Sequence, residues 1–418
     1  MNLTENEPAQ VASATPPEAA RYLPALAAAT ALFFVWGFLT SLNDILVPHL
    51  KSVFDLGYAG GAFVQLSFFS AYFLVSLPAG KVIASVGYKR GILLGLAIAG
   101  VGALLFYPAA SLPSYGFFLA ALFVLASGIT FLQVAANPFV AGLGPKEGAP
   151  SRLNLTQAFN SLGTTLAPLF GSTLFLASSG PRSHLAEART VRLPYVGLAL
   201  TLFLLAGAMA LFKLPRIASV EGDPGGRSIR DALRVRHLAL GVLAIFIYVG
   251  AEVSIGSFLV SFLEQPSTGH MDAVTAARHV SYYRGGAMVG RFAGSLALRK
   301  LDAGKLLAGC AAAAATLVIL ALSSTGTLAT WSLLAVGLCN SIMFPTIFTL
   351  AVDGLGKLTS SGSSLLVMAV VGGAVIPVLF GLVADRFSLQ TALALPALCY
   401  VYVVFYGLRG SRHGAKVA

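Results

Sequence analysis

Twelve stretches, each long enough and apolar enough to cross a lipid bilayer, leave few folds open to this chain. They lie at 25–49, 60–84, 91–109, 116–142, 153–178, 194–213, 238–263, 276–298, 304–323, 328–352, 361–384 and 389–408. A membrane helix needs about 20 apolar residues, and a backbone in lipid must satisfy its hydrogen bonds within the segment. Only 10% of the 418 residues are charged and 57% are hydrophobic, against about 25% charged in a soluble domain. With a mean hydropathy of +0.83, such a chain cannot cover a globular surface with polar groups. The composition predicts an all-α polytopic membrane protein, with lipid around most of its girth.

Basic residues orient the spans. Nineteen of the 27 Lys and Arg residues, among them Lys89, Arg90, Lys146, Arg299 and Lys300, fall in the connections on one side, six fall on the other, and Arg284 and Arg291 lie within a span. That bias predicts an inner-membrane protein with both termini cytoplasmic. It also accounts for the net charge of +11 without a polyanion, so no nucleic-acid partner is expected. Residues 1–20 lack a basic stretch before an apolar run and read as a disordered cytoplasmic tail. Cys310, Cys339 and Cys399 are too far apart in sequence to suggest a metal site or a disulfide framework, and no cofactor is expected.

The two halves of the sequence echo each other. Gly80 precedes Lys89 and Arg90 by nine and ten residues, and Gly290 precedes Arg299 and Lys300 by the same intervals, an offset of 210. Pro168 and Pro377 lie 209 apart, and Gly171 and Gly381 lie 210 apart. A repeat of that period predicts two six-helix halves, 21–213 and 238–408, joined by a cytoplasmic linker at 214–237 and followed by a tail at 409–418. Halves related in this way place a binding site at their interface near mid-membrane.

Polar side chains inside spans require a partner or a task. Span 1 carries Phe33, Trp36, Thr40, Asn43 and Asp44 on one face; span 4 carries Thr130, Gln133 and Asn137; span 5 carries Asn154, Gln157, Asn160 and Ser161; span 7 carries Tyr248 and Glu252; span 10 carries Asn340 and Phe344. Rings stack on the C–H face of a pyranose while amides and carboxylates pair with its hydroxyls. The combination predicts a monosaccharide site formed by Phe33, Trp36, Thr40, Asn43, Gln133, Asn137, Gln157, Asn160, Glu252 and Asn340. The competing reading is that amides tie helices together at about 1 kcal/mol or less each. Asp44, toward the outer third of its span, is the candidate proton carrier, since a partly dry carboxylate takes up and releases a proton as its surroundings open and close. Glu252 and Arg284 fall at similar depths, about 4–5 Å apart along the membrane normal, which predicts a charge pair between them.

Several runs in these spans resemble one family. Leu42-Asn43-Asp44-Ile45-Leu46, Ala135-Ala136-Asn137-Pro138-Phe139-Val140, Leu143-Gly144-Pro145, Arg152-Leu153-Asn154-Leu155 through Gln157, Phe159-Asn160-Ser161, Phe344-Pro345-Thr346-Ile347-Phe348 and Gly372 to Pro377 are similar to the fucose/glucose–galactose:proton symporter branch of the major facilitator superfamily. The resemblance implies the major facilitator fold and proton-coupled sugar import, with Asp44 at the family's span-1 carboxylate. Fucose members carry a glutamate in span 4 where this sequence has Gln133. An amide cannot titrate, so a two-carboxylate scheme does not carry over unchanged. The site is similar to glucose/galactose-type members there, which favours a hexose over fucose. The wider superfamily also places an Asp where Ala84 stands.

The expected function is secondary active transport of a neutral monosaccharide by a monomer. N-acetylglucosamine or another sugar as cargo, sodium as coupling ion and uncoupled diffusion stay open. The Asn and Gln faces speak against a drug exporter, and the short tails speak against a sugar receptor that signals without transport. No nucleophile–base pair, metal-ligand spacing or phosphate loop suggests an enzyme.

Overall fold

The computed structural model describes residues 16–53, 58–111, 114–176, 192–212, 214–215 and 229–412; the side chains at 16–21, 42–53, 58–62, 168–176 and 273 lie outside that description. Twelve helical segments occupy the expected places. They are α1 (Pro16–Val53), α2 (Tyr58–Val86), α3 (Tyr88–Ser111), α4 (Tyr115–Gly142), α5 (Ala149–Leu176), α6 (Arg192–Leu211), α7 (Arg236–Glu264), α8 (Ala273–Ala297) and α9 (Ala303–Ser323). The last three are interrupted: α10 runs as Gly326–Asn340 and Met343–Val352, α11 as Thr359–Met368, Ala369–Val371 and Gly372–Arg386, and α12 as Leu389–Ala392 and Ala394–Phe405.

Helix α1 begins at Pro16, so residues 16–20 are not the disordered tail expected. Proline is well placed in a first turn, where its missing N–H is not needed, and Glu18-Ala19-Ala20 are good helix formers. The rest of that tail lies outside the described residues, as do 216–228 of the linker and 413–418 of the C-terminal tail. Within the linker Ile229–Arg234 form a short helix, and α7 starts at Arg236. The C-terminal tail also starts later than expected, since a π-helical turn carries the chain through Tyr406–Gly410.

Over the described residues ten helices are long and apolar enough to cross a membrane. The exceptions, α5 and α8, carry Asn154, Gln157 and Asn160, and His279, Arg284 and Arg291. These two helices pack on each other, as α2 packs on α11. The repeat maps α2 onto α8 and α5 onto α11, so the two contacts between the halves are counterparts. Polarity concentrates in α5 and α8 because they line the seam rather than the lipid.

Each half is drawn together by small residues that let backbones approach. A Cβ on Gly163 would strike the Phe34 carbonyl of α1, and one on Gly372, 209 residues later, would strike the Phe246 carbonyl of α7. Prolines add a second device. Pro138, Pro168 and Pro345 each lack the N–H that would bond four residues back. The freed carbonyls are taken by other helices: Ser363 Oγ donates to Val134 O at 3.0 Å, Ser41 Oγ to Thr164 O at 3.0 Å, and Arg291 Nε to Ser341 O at 3.1 Å.

At the end of the bundle that carries Lys89, Lys146 and Arg299, called here the basic end, the halves are latched. Ser360 Oγ donates to Gly80 O at 2.7 Å and Ser151 Oγ to Ser295 O at 2.6 Å. Asn154 Nδ2 donates to Arg291 O at 2.7 Å, and Ser363 to Val134 as above. Ser151 and Ser360 are 209 residues apart, as are Asn154 and Ser363, so the repeat supplies the donors in pairs.

Two outcomes follow. Gly163→Val and Gly372→Val each lower stability by about 2 kcal/mol or more, read as a fall in thermal midpoint in detergent. Gly207→Ala and Gly309→Ala, helical positions with nothing within 4 Å of an added Cβ, leave it unchanged or raise it. Ser151→Ala with Ser360→Ala removes about 1 kcal/mol per bond from the latched state. Spin labels at the exposed Lys146 and Arg299 then report a larger population with the basic end open.

Candidate functional site

The expected site residues sort into two polar clusters, one per half. In the N-terminal half, Phe33 and Trp36 of α1 are buried with ring centroids 5.2 Å apart. Helix α5 lies against them, and Asn160 Nδ2 donates to Phe33 O at 2.9 Å. One turn along α1, the Thr40 hydroxyl donates back to Gly37 O at 2.9 Å, which leaves its lone pairs available. From α4, Gln133 is buried and its Nε2 donates to Tyr72 OH of α2 at 2.8 Å. Gln157 of α5 is buried as well. Asn43 and Asp44 belong to α1 by backbone, but their side chains lie outside the described residues.

The C-terminal cluster centres on the break in α10. Where the helix is interrupted between Asn340 and Met343, the Asn340 carbonyl accepts from Tyr248 OH of α7 at 2.9 Å, and Asn340 Nδ2 donates to Tyr283 OH of α8 at 2.9 Å. Asn340 Oδ1 and Tyr400 OH of α12 are buried with no hydrogen-bond partner among the described residues. Glu252, one turn from Tyr248 on α7, is half-buried.

The expected Glu252–Arg284 pair does not form. No ion pair joins them among the described residues; Arg284 is exposed, and the cation whose field acts on Glu252 is Arg291. Depth along the membrane normal matched, but azimuth decides. Tyr283 turns into the bundle to meet Asn340, and its sequence neighbour Arg284 is carried round the helix. Arg291 instead reaches up from nearer the basic end, bonding Ser341 O through Nε and Ser161 Oγ of α5 through Nη1.

Asn137 also falls apart from the others. It is fully buried five residues from the Gly142 end of α4, and neither of its side-chain polar atoms has a partner among the described residues. Sharing a helical face with Gln133 does not give it the same depth. Sequence reasoning missed Tyr72 and Tyr283, whose hydroxyls accept from Gln133 and Asn340, and the buried Tyr400; a tyrosine inside an apolar span, needing a partner for its hydroxyl, was the available signal. A separate cleft of about 750 Å³ opens at the basic end, lined among others by Lys146, Glu147, Arg299, Asp302 and Asp353. It holds none of the expected site residues.

Amides, hydroxyls and rings of α1, α2, α4 and α5 thus gather in one half, and those of α7, α8, α10 and α12 in the other. A site divided in this way, latched at one end of the bundle, suits a small polyhydroxylated molecule passed between two openings. Comparison with known proteins agrees with this architecture. The Major Facilitator Superfamily model matches residues 25–377. A glucose/galactose transporter of Brucella abortus is 53% identical over 93% of this chain and 94% of its own length. The L-fucose-proton symporter of Escherichia coli is 33% identical over 92% of each chain. A crystal structure of the transporter FucP in the outward conformation superposes with a TM-score of 0.87 at 32% identity, covering 94% of this chain and 100% of that one. The chain belongs to the major facilitator superfamily, in the branch that holds the glucose/galactose and fucose–proton transporters.

Proposed function

We propose that the protein imports a neutral hexose of the glucose/galactose type by proton symport and alternating access. The observation that carries this reading is the 53% identity, across nearly the whole chain, to a glucose/galactose transporter. The likeness to an L-fucose-proton symporter supports the proton as coupling ion. We place the protein in the inner membrane with both termini cytoplasmic, on the positive-inside rule, and take it as a monomer on its resemblance to the superfamily. The basic end is then the cytoplasmic end, and the latched seam belongs to a state closed to the cytoplasm.

In this reading Trp36 offers a ring face to the sugar, with Phe33 packed behind it. Thr40, Asn43, Gln133, Gln157, Asn160 and Asn340 supply hydroxyl partners. Asn137 joins them when the basic end opens and its amide is uncovered. Asp44 carries the proton. Gln133 stands where fucose members of the branch have a glutamate, and with Nε2 donating to Tyr72 OH its Oε1 is available to accept from a sugar hydroxyl.

Uptake of labelled glucose into proteoliposomes with an acid exterior tests the whole reading. Wild type accumulates sugar above equilibrium, a protonophore abolishes the excess, and Asp44→Asn retains no accumulation. Uptake that only equilibrates, or that follows a sodium gradient, removes the proton from the mechanism while keeping the sugar. Gln133→Leu raises the apparent KM for sugar about tenfold, the worth of one hydrogen bond of 1–2 kcal/mol, and leaves the accumulation ratio of transported sugar intact. A panel of hexoses, pentoses and amino sugars ranks the cargo.

A further inference from the structure

Of the sixteen Asp and Glu residues, one described side chain sits deep within a membrane helix. Glu252 lies twelve residues from the Glu264 end of α7, whereas the other described carboxylates lie in loops, at helix caps or at helix ends. Gln133 cannot titrate. In the N-terminal half that leaves Asp44 as the interior carboxylate of the sequence.

The groups that face Glu252 are few. Tyr248 lies one turn away on α7 and bonds the Asn340 carbonyl; Tyr283 of α8 bonds the Asn340 amide, and Arg291 of α8 bonds the carbonyl of the next residue, Ser341, while Tyr400 of α12 is buried. Helix α10 contributes the neutral Asn340, and α11 packs on Gly250 with Gly372 and Ile376, which do not titrate. Arg284 acts on Tyr283 but is not among the groups that act on Glu252. Arg291 is therefore the single cation facing Glu252 among the described residues, and it is also a tie between the halves. It donates to Ser161 Oγ across the seam and to Ser341 O in its own half, and its carbonyl accepts from Asn154 of α5.

We propose that Glu252 is a second proton-carrying group, placed in the C-terminal half, and that it governs the seam through Arg291. The proposal rests on the proton-symport reading above. With Glu252 ionised, its charge offsets that of Arg291, and the guanidinium stays docked on Ser161. When a proton from the outer solution binds a Glu252 carboxylate oxygen, Arg291 is left as an uncompensated cation, costly to keep from water. Parting the seam at Ser161 hydrates it, so protonation favours opening toward the basic end. The proton then leaves to the water on that side, and the offset is restored.

The test uses the full chain in proteoliposomes with three readouts: accumulation of labelled glucose under an acid-outside gradient, sugar-dependent proton entry followed with an internal pH dye, and glucose exchange at equal pH. Glu252→Gln is expected to lower accumulation and proton entry by about tenfold or more while exchange falls by less than that. Arg291→Gln is expected to slow exchange, and Glu252→Gln with Arg291→Gln to recover exchange relative to the worse single variant, because no charge is left without its partner. Wild-type accumulation in Glu252→Gln overturns the proposal. So does a double variant whose loss is the product of the two single losses, and that comparison decides the matter even if Glu252→Gln alone exchanges poorly. Failure of the symport reading is separate, since it appears as wild-type protein that does not accumulate sugar.

Discussion

Three proline-freed carbonyls set much of the geometry of this bundle. In lipid no water stands ready to bond a carbonyl that its own helix cannot serve, so each one needs a donor from a neighbour. Pro138, Pro168 and Pro345 release the carbonyls of Val134, Thr164 and Ser341, and Ser363, Ser41 and Arg291 take them. One bond joins α1 to α5 within a half, one joins α4 to α11 across the seam, and one docks Arg291 at the break in α10. The last bond positions the C-terminal cluster. With α10 interrupted beside Pro345, the Asn340 carbonyl is open to Tyr248, and the Asn340 amide reaches Tyr283.

The two halves share a plan and differ in what they carry. Gly163 and Gly372 bring α5 onto α1 and α11 onto α7 by the same close backbone approach, and the seam donors recur at the same interval. The polar interior is not duplicated. The N-terminal half presents rings and amides, with Gln133 held by Tyr72; the C-terminal half presents three tyrosines, a carboxylate and a guanidinium. Arg291 has Lys81 as its counterpart 210 residues earlier, and Lys81 is exposed. A symmetric scaffold can rock between two equivalent closures, while an asymmetric lining makes the two ends of that motion chemically distinct.

Much of this was legible in the sequence because hydrophobic length and basic bias are carried by many residues at once. The twelve spans, the repeat and the polar faces of α1, α4, α5, α7 and α10 could all be read without coordinates. Depth could be counted from residue numbers, but azimuth could not, and the Glu252–Arg284 expectation failed on azimuth. Asn137 marks the complementary limit, since the face it shares with Gln133 conceals a difference of about a helical turn in depth. The seam serines escaped notice for another reason. A serine in an apolar helix ordinarily bonds the carbonyl one turn back, as Ser127 does with Phe123, and nothing in the local sequence of Ser151, Ser360 or Ser363 marks them as reaching across to the other half.

The seam is asymmetric in its parts list. At four of its bonds the donors are side chains, while the acceptors at Gly80, Ser295, Val134 and Arg291 are main-chain carbonyls. A main-chain carbonyl survives nearly any substitution at its own position, so half of each of these four bonds is beyond the reach of point mutation. Evolutionary tuning of how readily the halves part is thereby concentrated on a handful of donor positions. The acceptor faces are left free to drift, subject only to fit.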